Sequence, residues 1–273
     1  MAYDITDFKT LMDLEEKEPD VFLGLSPEYP WGGLYGGQVV AQALRAACAT
    51  VDTDHRVHSL HAYFIRGGDF DEPVRYEVDR IRDGRSFLTR RVVAHQSIGP
   101  ILNLSASFQI LEGEQADVQA VPLPSDLPQP ETLRVDDWSP ILERRTVASN
   151  PDPARAAAWL RIKPPIGDDP VMHACALAYA SDDMPTEAAS HSHPRNPNPG
   201  AEPGDYERRF VGASLDHAIW FHRPGRHDEW VLHDLQGQGV IGARGMALGQ
   251  VMSRDGIHLA TIAQEILLRE KTR

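Results

Sequence analysis

VGASLDHAIWFHRP, residues 211–224, places one acidic residue, Asp216, inside an apolar and aromatic run that alternates as a strand does. A carboxylate in such a run is costly to bury unless it is hydrogen-bonded or used. An earlier stretch, VHSLHAYFIR at residues 57–66, reads as a second copy. Ser59-Leu60-His61 answers Ser214-Leu215-Asp216, and Phe64 and Arg66 answer Phe221 and Arg223. One constant spacing separates Asp216 from His61, Gly239 from Gly84, and Gln264 from Gln109. A repeat of this size means two pseudo-symmetric units rather than a solenoid. His stands in the first copy where Asp stands in the second, which points to the second unit as the working one.

The sequence around the two strands follows one plan. Asp7 or Thr6 can cap a short first helix with Phe8, Leu11, Met12 and Leu14 at helical spacing, and Glu15–Asp20 forms its charged exit. A Gly- and Pro-rich stretch with Trp31 and Tyr35 leads into Gly36-Gly37-Gln38 and the helical segment VVAQALRAACATV. That segment is apolar on most of its circumference, so it is expected to be enclosed. Strands are expected at His58–Arg66, Val74–Arg82, Ser86–His95 and Ile101–Leu111, with glycine turns between them. In the second half Asp169-Pro170 opens another small-residue helix, VMHACALAYASD. Strands follow at Val211–His222, Trp230–Leu235, Ile241–Ser253 and Ile257–Leu268. The fold class is α+β, with a curled antiparallel sheet wrapping a long helix in each half. Residues 1–111 form the first unit and 169–273 the second. The acidic, proline-rich 112–168 reads as a linker with a short helix around Ala154–Leu160, and Pro185–Glu207 as a long surface loop.

The chain has 273 residues, enough for one large domain or two moderate ones. A net charge of -13 argues against nucleic acid or an anionic membrane as partner. Two cysteines, Cys48 and Cys175, offer no disulfide framework and read as inert buried thiols in a reducing compartment. The acidic, interrupted N-terminus is unlike a signal peptide and no run is long enough to cross a bilayer, so the expectation is a cytoplasmic protein. His191 and His193 lack carboxylate or thiol company and read as solvated loop, so no metal is expected. Arg80, Arg82, Arg85, Arg90 and Arg91 read as a solvated sheet face.

Several of these segments carry a family resemblance. GGQVVAQAL at 36–44, VHSLHAYFIRGGD at 57–69, RDGRSFLTRRVVAHQ at 82–96 and PILNLSASFQ at 100–109 resemble the first half of type II acyl-CoA thioesterases. SLDHAIWFHRP at 214–224, ARG at 243–245 and RDGIHLATIAQEILLR at 254–269 resemble the second half. The resemblance implies a double hotdog fold, an acyl-CoA substrate, no cofactor, and assembly into dimers or tetramers. In the family an Asp, a Ser or Thr, and a Gln together hold the attacking water. On this sequence the Asp maps to Asp216 and the Gln to Gln264, while the Ser/Thr position falls at Gln238, a departure from the pattern.

The chemistry of Asp216 has its own argument. A thioester is already activated, so a positioned water, a base and donors for the oxyanion suffice. A carboxylate among Leu215, Ile219, Trp220 and Phe221 is expected to have a raised pKa, as a base near neutrality needs. Gln264 offers a donor and an acceptor in one group. The bland reading pairs Asp216 with Arg223 or Arg244 across strands. His217 is expected on the opposite strand face from Asp216, as a packing or surface residue. His61 reads as the filler of a vestigial site in the first unit, and Gln109 as either a relic or a strand-pairing residue. Two other functions stay open: an acyl-CoA binding protein without turnover, and a hotdog hydratase or dehydratase.

Overall fold

The computed structural model describes residues 3–122, 124, 127–147, 154–196 and 209–271. Helices α2 (Gly36–Ala49) and α3 (Pro170–Ser181) pack against each other at its centre. Both bury nearly their whole circumference, as all-round apolar helices must. Pro170 occupies the first turn of α3, and the Asp169 carboxylate accepts the Val171 N–H at 2.9 Å. Near the N-terminus lies α1 (Phe8–Leu11), capped by Asp7 as expected.

One antiparallel sheet surrounds these helices. In chain order its strands are β1 (Glu15–Glu18), β2 (Val21–Gly24), β3 (His55–Phe64), β4 (Val74–Asp83), β5 (Phe87–Gln96) and β6 (Gly99–Ile110). Then come β7 (Leu142–Val147), β8 (Arg155–Ile162), β9 (Phe210–Ser214), β10 (Asp216–Phe221), β11 (Val231–Ile241), β12 (Arg244–Ser253) and β13 (His258–Glu270). Across the sheet they run β1-β2-β4-β5-β6-β3-β10-β13-β12-β11-β8-β7, with β9 also paired to β13. From the β3–β10 seam outward, both sides use their strands in the same chain order. The seam itself is symmetric: Ala62 pairs with His217, flanked by His61 with Ala218 and Tyr63 with Asp216. That is the register expected if His61 and Asp216 are counterparts.

Elsewhere the constant spacing fails. Gly84 lies in the β4–β5 turn, but Gly239 lies inside β11 at a register shift, with positive φ. Gln109 pairs with Arg56, whereas the residue opposite Ala62 is Leu104, so Leu104 and not Gln109 takes the place corresponding to Gln264. Insertions in the hairpins carry the later strands out of step.

Other expectations also change. Ala154–Leu160 is not a helix: from Arg155 onward it belongs to β8, which pairs with β7 and β11. Alanine favours helix in isolation, but burial between neighbouring strands overrides that preference. Much of the stretch 112–168 is therefore structured, and its earlier part covers the sheet, with Val121, Leu127 and Leu133 on a cluster of Trp159, Trp230, Leu232 and Met252. Trp159 Nε1 donates to the Pro128 carbonyl at 3.0 Å. The charged exit after α1 is strand β1. The expected surface loop begins as helix α4 (Pro185–His191), which buries Ala188 and Ala189. Residues 197–207 of that loop lie outside the described residues. His193 packs on Phe210 at 4.8 Å and pairs with Glu270 at 3.3 Å, so it is not a free loop residue. Arg90 is buried rather than solvated, tied to Thr50 and Asp83.

Candidate active site

Asp182 closes α3 at its C-terminus. An acid there faces the negative end of its own helix dipole, an unfavourable place unless something else holds it. What holds it is the N-terminus of α2, from the other half of the chain: the Gly37 main-chain N–H donates to its carboxylate. A Cβ on Gly36 would come within 2.5 Å of Asp182 Oδ2, and one on Gly37 would overlap the Tyr179 carbonyl oxygen and the Tyr35 ring. Paired glycines are required here by close approach. The α2 N-cap, Tyr35, makes no side-chain cap, so this helix end stays open, while that of α3 is sealed by Asp169.

Two strands complete the cluster. Gln264 of β13 is fully buried, and its Nε2 donates to Asp182 Oδ1 and to Ser214 Oγ, each at 2.8 Å. Ser214, the last residue of β9, donates from Oγ to Asp182 Oδ1 at 3.1 Å. On the other side Gln264 Oε1 accepts from His217 Nδ1 at 2.5 Å, and His217 Nε2 meets Ser181 Oγ at 2.7 Å. A slip between β9 and β10 brings Ser214 and His217 to one face. Ser214 pairs with Ile266 and Ala218 with Ala263, so the register shifts by a residue across Leu215.

Burial pushes the Asp182 carboxyl up to about 6, against the opposing hydrogen bonds from Gln264, Ser214 and Gly37. The same burial lowers His217 to about 4, so its ring is neutral near pH 7. Next to Asp182, Asp183 is held by Trp138 Nε1 at 2.6 Å and by Arg144 at 3.0 Å. Its carboxyl is raised by burial, with Arg144 opposing.

Of the three residues expected at the site, only Gln264 is in this cluster. Asp216 lies across from Glu265, whose main-chain N–H it accepts at 2.7 Å, on the sheet face that also carries exposed Tyr63. Its carboxyl is raised by partial burial, but its side chain faces away from Gln264. Gln238 is exposed in the irregular part of β11 and donates to the Gln236 carbonyl at 3.2 Å. Arg223 and Arg244 take Asp117 and Glu265 as partners, so neither holds Asp216. Sequence reading singled out neither Asp182 nor Ser214, although Asp182 was visible as an acid ending a small-residue helix. Cys48 and Cys175 have thiols raised by burial, Cys48 to about 12, far from a nucleophilic thiolate. A cavity of about 370 Å³ opens beside Tyr29 and Trp138, but none of the cluster residues lines it.

Comparison with known proteins agrees with this architecture. Residues 25–109 match the family model of the acyl-CoA thioesterase N-terminal domain, and residues 115–268 that of the C-terminal domain. The chain is 34% identical to acyl-CoA thioesterase 2 of Haemophilus influenzae, over 95% of this chain and 96% of that protein. It is 35% identical to human acyl-coenzyme A thioesterase 8, over 96% of this chain and 88% of that protein. The crystal structure of acyl-CoA thioesterase II TesB2 from Mycobacterium marinum superposes with a TM-score of 0.82 at 34% identity, covering 97% of this chain and 99% of that one. A hot dog fold protein from Alicyclobacillus acidocaldarius superposes at 0.79 with 19% identity, covering 97% and 98%, which speaks to fold alone. With both domain models matched in order and relatives aligned over nearly full length, the chain belongs to the acyl-CoA thioesterase family, a family of thioester hydrolases.

Proposed function

We propose that this protein hydrolyses acyl-CoA thioesters to the free acid and CoA, with Asp182 as general base and Ser214 and Gln264 as partners in holding the water. One observation carries the reading: Gln264 Nε2 is shared between Asp182 Oδ1 and Ser214 Oγ, so three polar side chains from three elements converge beside an open helix N-terminus. Each half of the chain is read as one hotdog unit, the site lying where α2 of the first meets α3 and β13 of the second.

In this reading a water beside Asp182 gives its proton to the carboxylate while its oxygen attacks the thioester carbonyl carbon. The oxyanion develops next to the positive end of the α2 dipole. Collapse of the tetrahedral intermediate breaks the C–S bond, and the proton held on Asp182 goes to the departing sulfur. A carboxyl near 6 suits both tasks: it is mostly ionised at pH 7 and acidic enough to return the proton. No covalent nucleophile is needed. A binding-only role rested on the lack of Ser or Thr at Gln238, and Ser214 supplies that hydroxyl from another strand.

The test is release of CoA measured with a thiol reagent. Asp182→Asn is expected to lower kcat by at least about a hundredfold with little change in KM. Asp216→Asn should leave kcat within about threefold of the parent, because its carboxylate only accepts a main-chain N–H. The reverse pattern would restore Asp216 and refute this assignment.

A further inference from the structure

His217 is the side chain in the buried cluster to which water activation gives no task. The direction of every hydrogen bond beside it is fixed from one end. An ionised Asp182 offers only acceptor oxygens, so the Gln264 group facing it must be the NH2. The Gln264 carbonyl then faces His217, and Nδ1 must carry the ring proton to meet it. Nε2 is left as an acceptor for the Ser181 hydroxyl, whose one proton then goes to the ring at 2.7 Å in place of the longer 3.0 Å bond to the Ala178 carbonyl. Ser181 and His217 are each 1% exposed and Gln264 is 0% exposed, so bulk water is not at hand to replace a lost partner.

We propose that His217 is a positioning residue: its Nδ1–H, anchored through Ser181, holds the Gln264 carboxamide in the orientation that presents NH2 to Asp182 and Ser214. A flipped Gln264 would turn its carbonyl toward the carboxylate and withdraw its donor from both partners. This rests on the reading of Asp182, Ser214 and Gln264 as the hydrolytic site. It also reverses the sequence expectation for His217. That expectation put His217 and Asp216 on opposite faces, which holds, but the face His217 occupies is the one with the cluster.

Two substitutions separate positioning from packing. The side-chain NH2 of Asn falls near the place of Nδ1, and that of Gln near Nε2, while Gln is closer to His in length and volume. His217→Asn is expected to keep kcat within about threefold of the parent, and His217→Gln to lose about tenfold to a hundredfold with KM changed less than about twofold. Packing alone predicts the opposite order. Equal losses, or Gln outperforming Asn, would overturn the proposal. Nitrogen-15 NMR of the unsubstituted protein supplies a measurement that does not depend on either variant folding. The expected His217 signature is a protonated Nδ1 and a bare Nε2, and the other tautomer would overturn the role. Asp182→Asn assayed in parallel keeps the two failures apart. If that variant turns over normally, the site itself is misassigned. If it is inactive and Asn is no better than Gln at position 217, only the role of His217 falls.

Discussion

Asp182 combines two unfavourable placements, burial and the negative end of a helix, and both bear on what it can be tested for. With its carboxyl near 6, the rate should fall about tenfold per pH unit below that value and level off above it, as initial rates at saturating acyl-CoA would show. A stability consequence follows from the same shift. The folded-state value lies above the ordinary 3.8, so the favourable protonated form is complete below 3.8 and its contribution is lost as pH rises through about 6. At pH 7.5 Asp182→Asn should therefore be more stable than the parent by up to roughly 3 kcal/mol while being inactive. Urea denaturation reads this directly, and a less stable variant would contradict it. What the sequence showed at this scale was partial. Gln264 was named through the family resemblance, and the structure places it in the cluster. Ser214 was passed over because the register slip at Leu215 leaves no trace in composition, and Asp216, the more conspicuous acid, drew the assignment instead. The sign of trouble at Asp182 was there, since an acid closing an apolar helix opposes the dipole.

At the level of elements, the contact between the α2 N-terminus and the end of α3 depends on absent side chains. Gly37→Ala would drive a methyl group into the Tyr179 carbonyl and the Tyr35 ring, forcing the helices apart. We expect a loss of about 1–3 kcal/mol in stability and at least about a tenfold fall in kcat, measured by thermal unfolding and CoA release. The two long helices and most strands were legible because periodicity and glycine turns agree with burial. Strand β8 was not, because RAAAWLRI has the composition of a helix and becomes a strand only through its neighbours on both sides. Helix α4 was hidden by polar and proline-rich composition, although Pro185 at its start is an ordinary helix-opening signal.

Across the whole molecule, one sheet wrapped on two packed helices buries histidines that resist protonation. Burial lowers His217 to about 4, and His227 and His233 to about 3. Each is depressed below the ordinary 6.5, so each contributes stability that is present above 6.5 and is lost as pH falls toward those values. Asp182 opposes this with one group between about 6 and 3.8. The balance predicts that stability drops by roughly 3 kcal/mol per pH unit between about pH 6 and 4. His233→Phe should remove about half of that slope, in urea titrations at several pH values. A flat profile would show that these rings are not buried neutral. The strand order, repeated on either side of β3–β10, was legible in outline from the paired strands, but which half holds the cluster was legible only as the difference between His61 and Asp216, residues that take no part in it. The sealing of α3 by Asp169 has a broader consequence. On the proposed assignment, active-site titration should count one centre per polypeptide. The cluster cannot be inherited with one half alone, because its carboxylate, hydroxyl and carboxamide are encoded in the half whose helix end is capped and the glycines that complete it in the other.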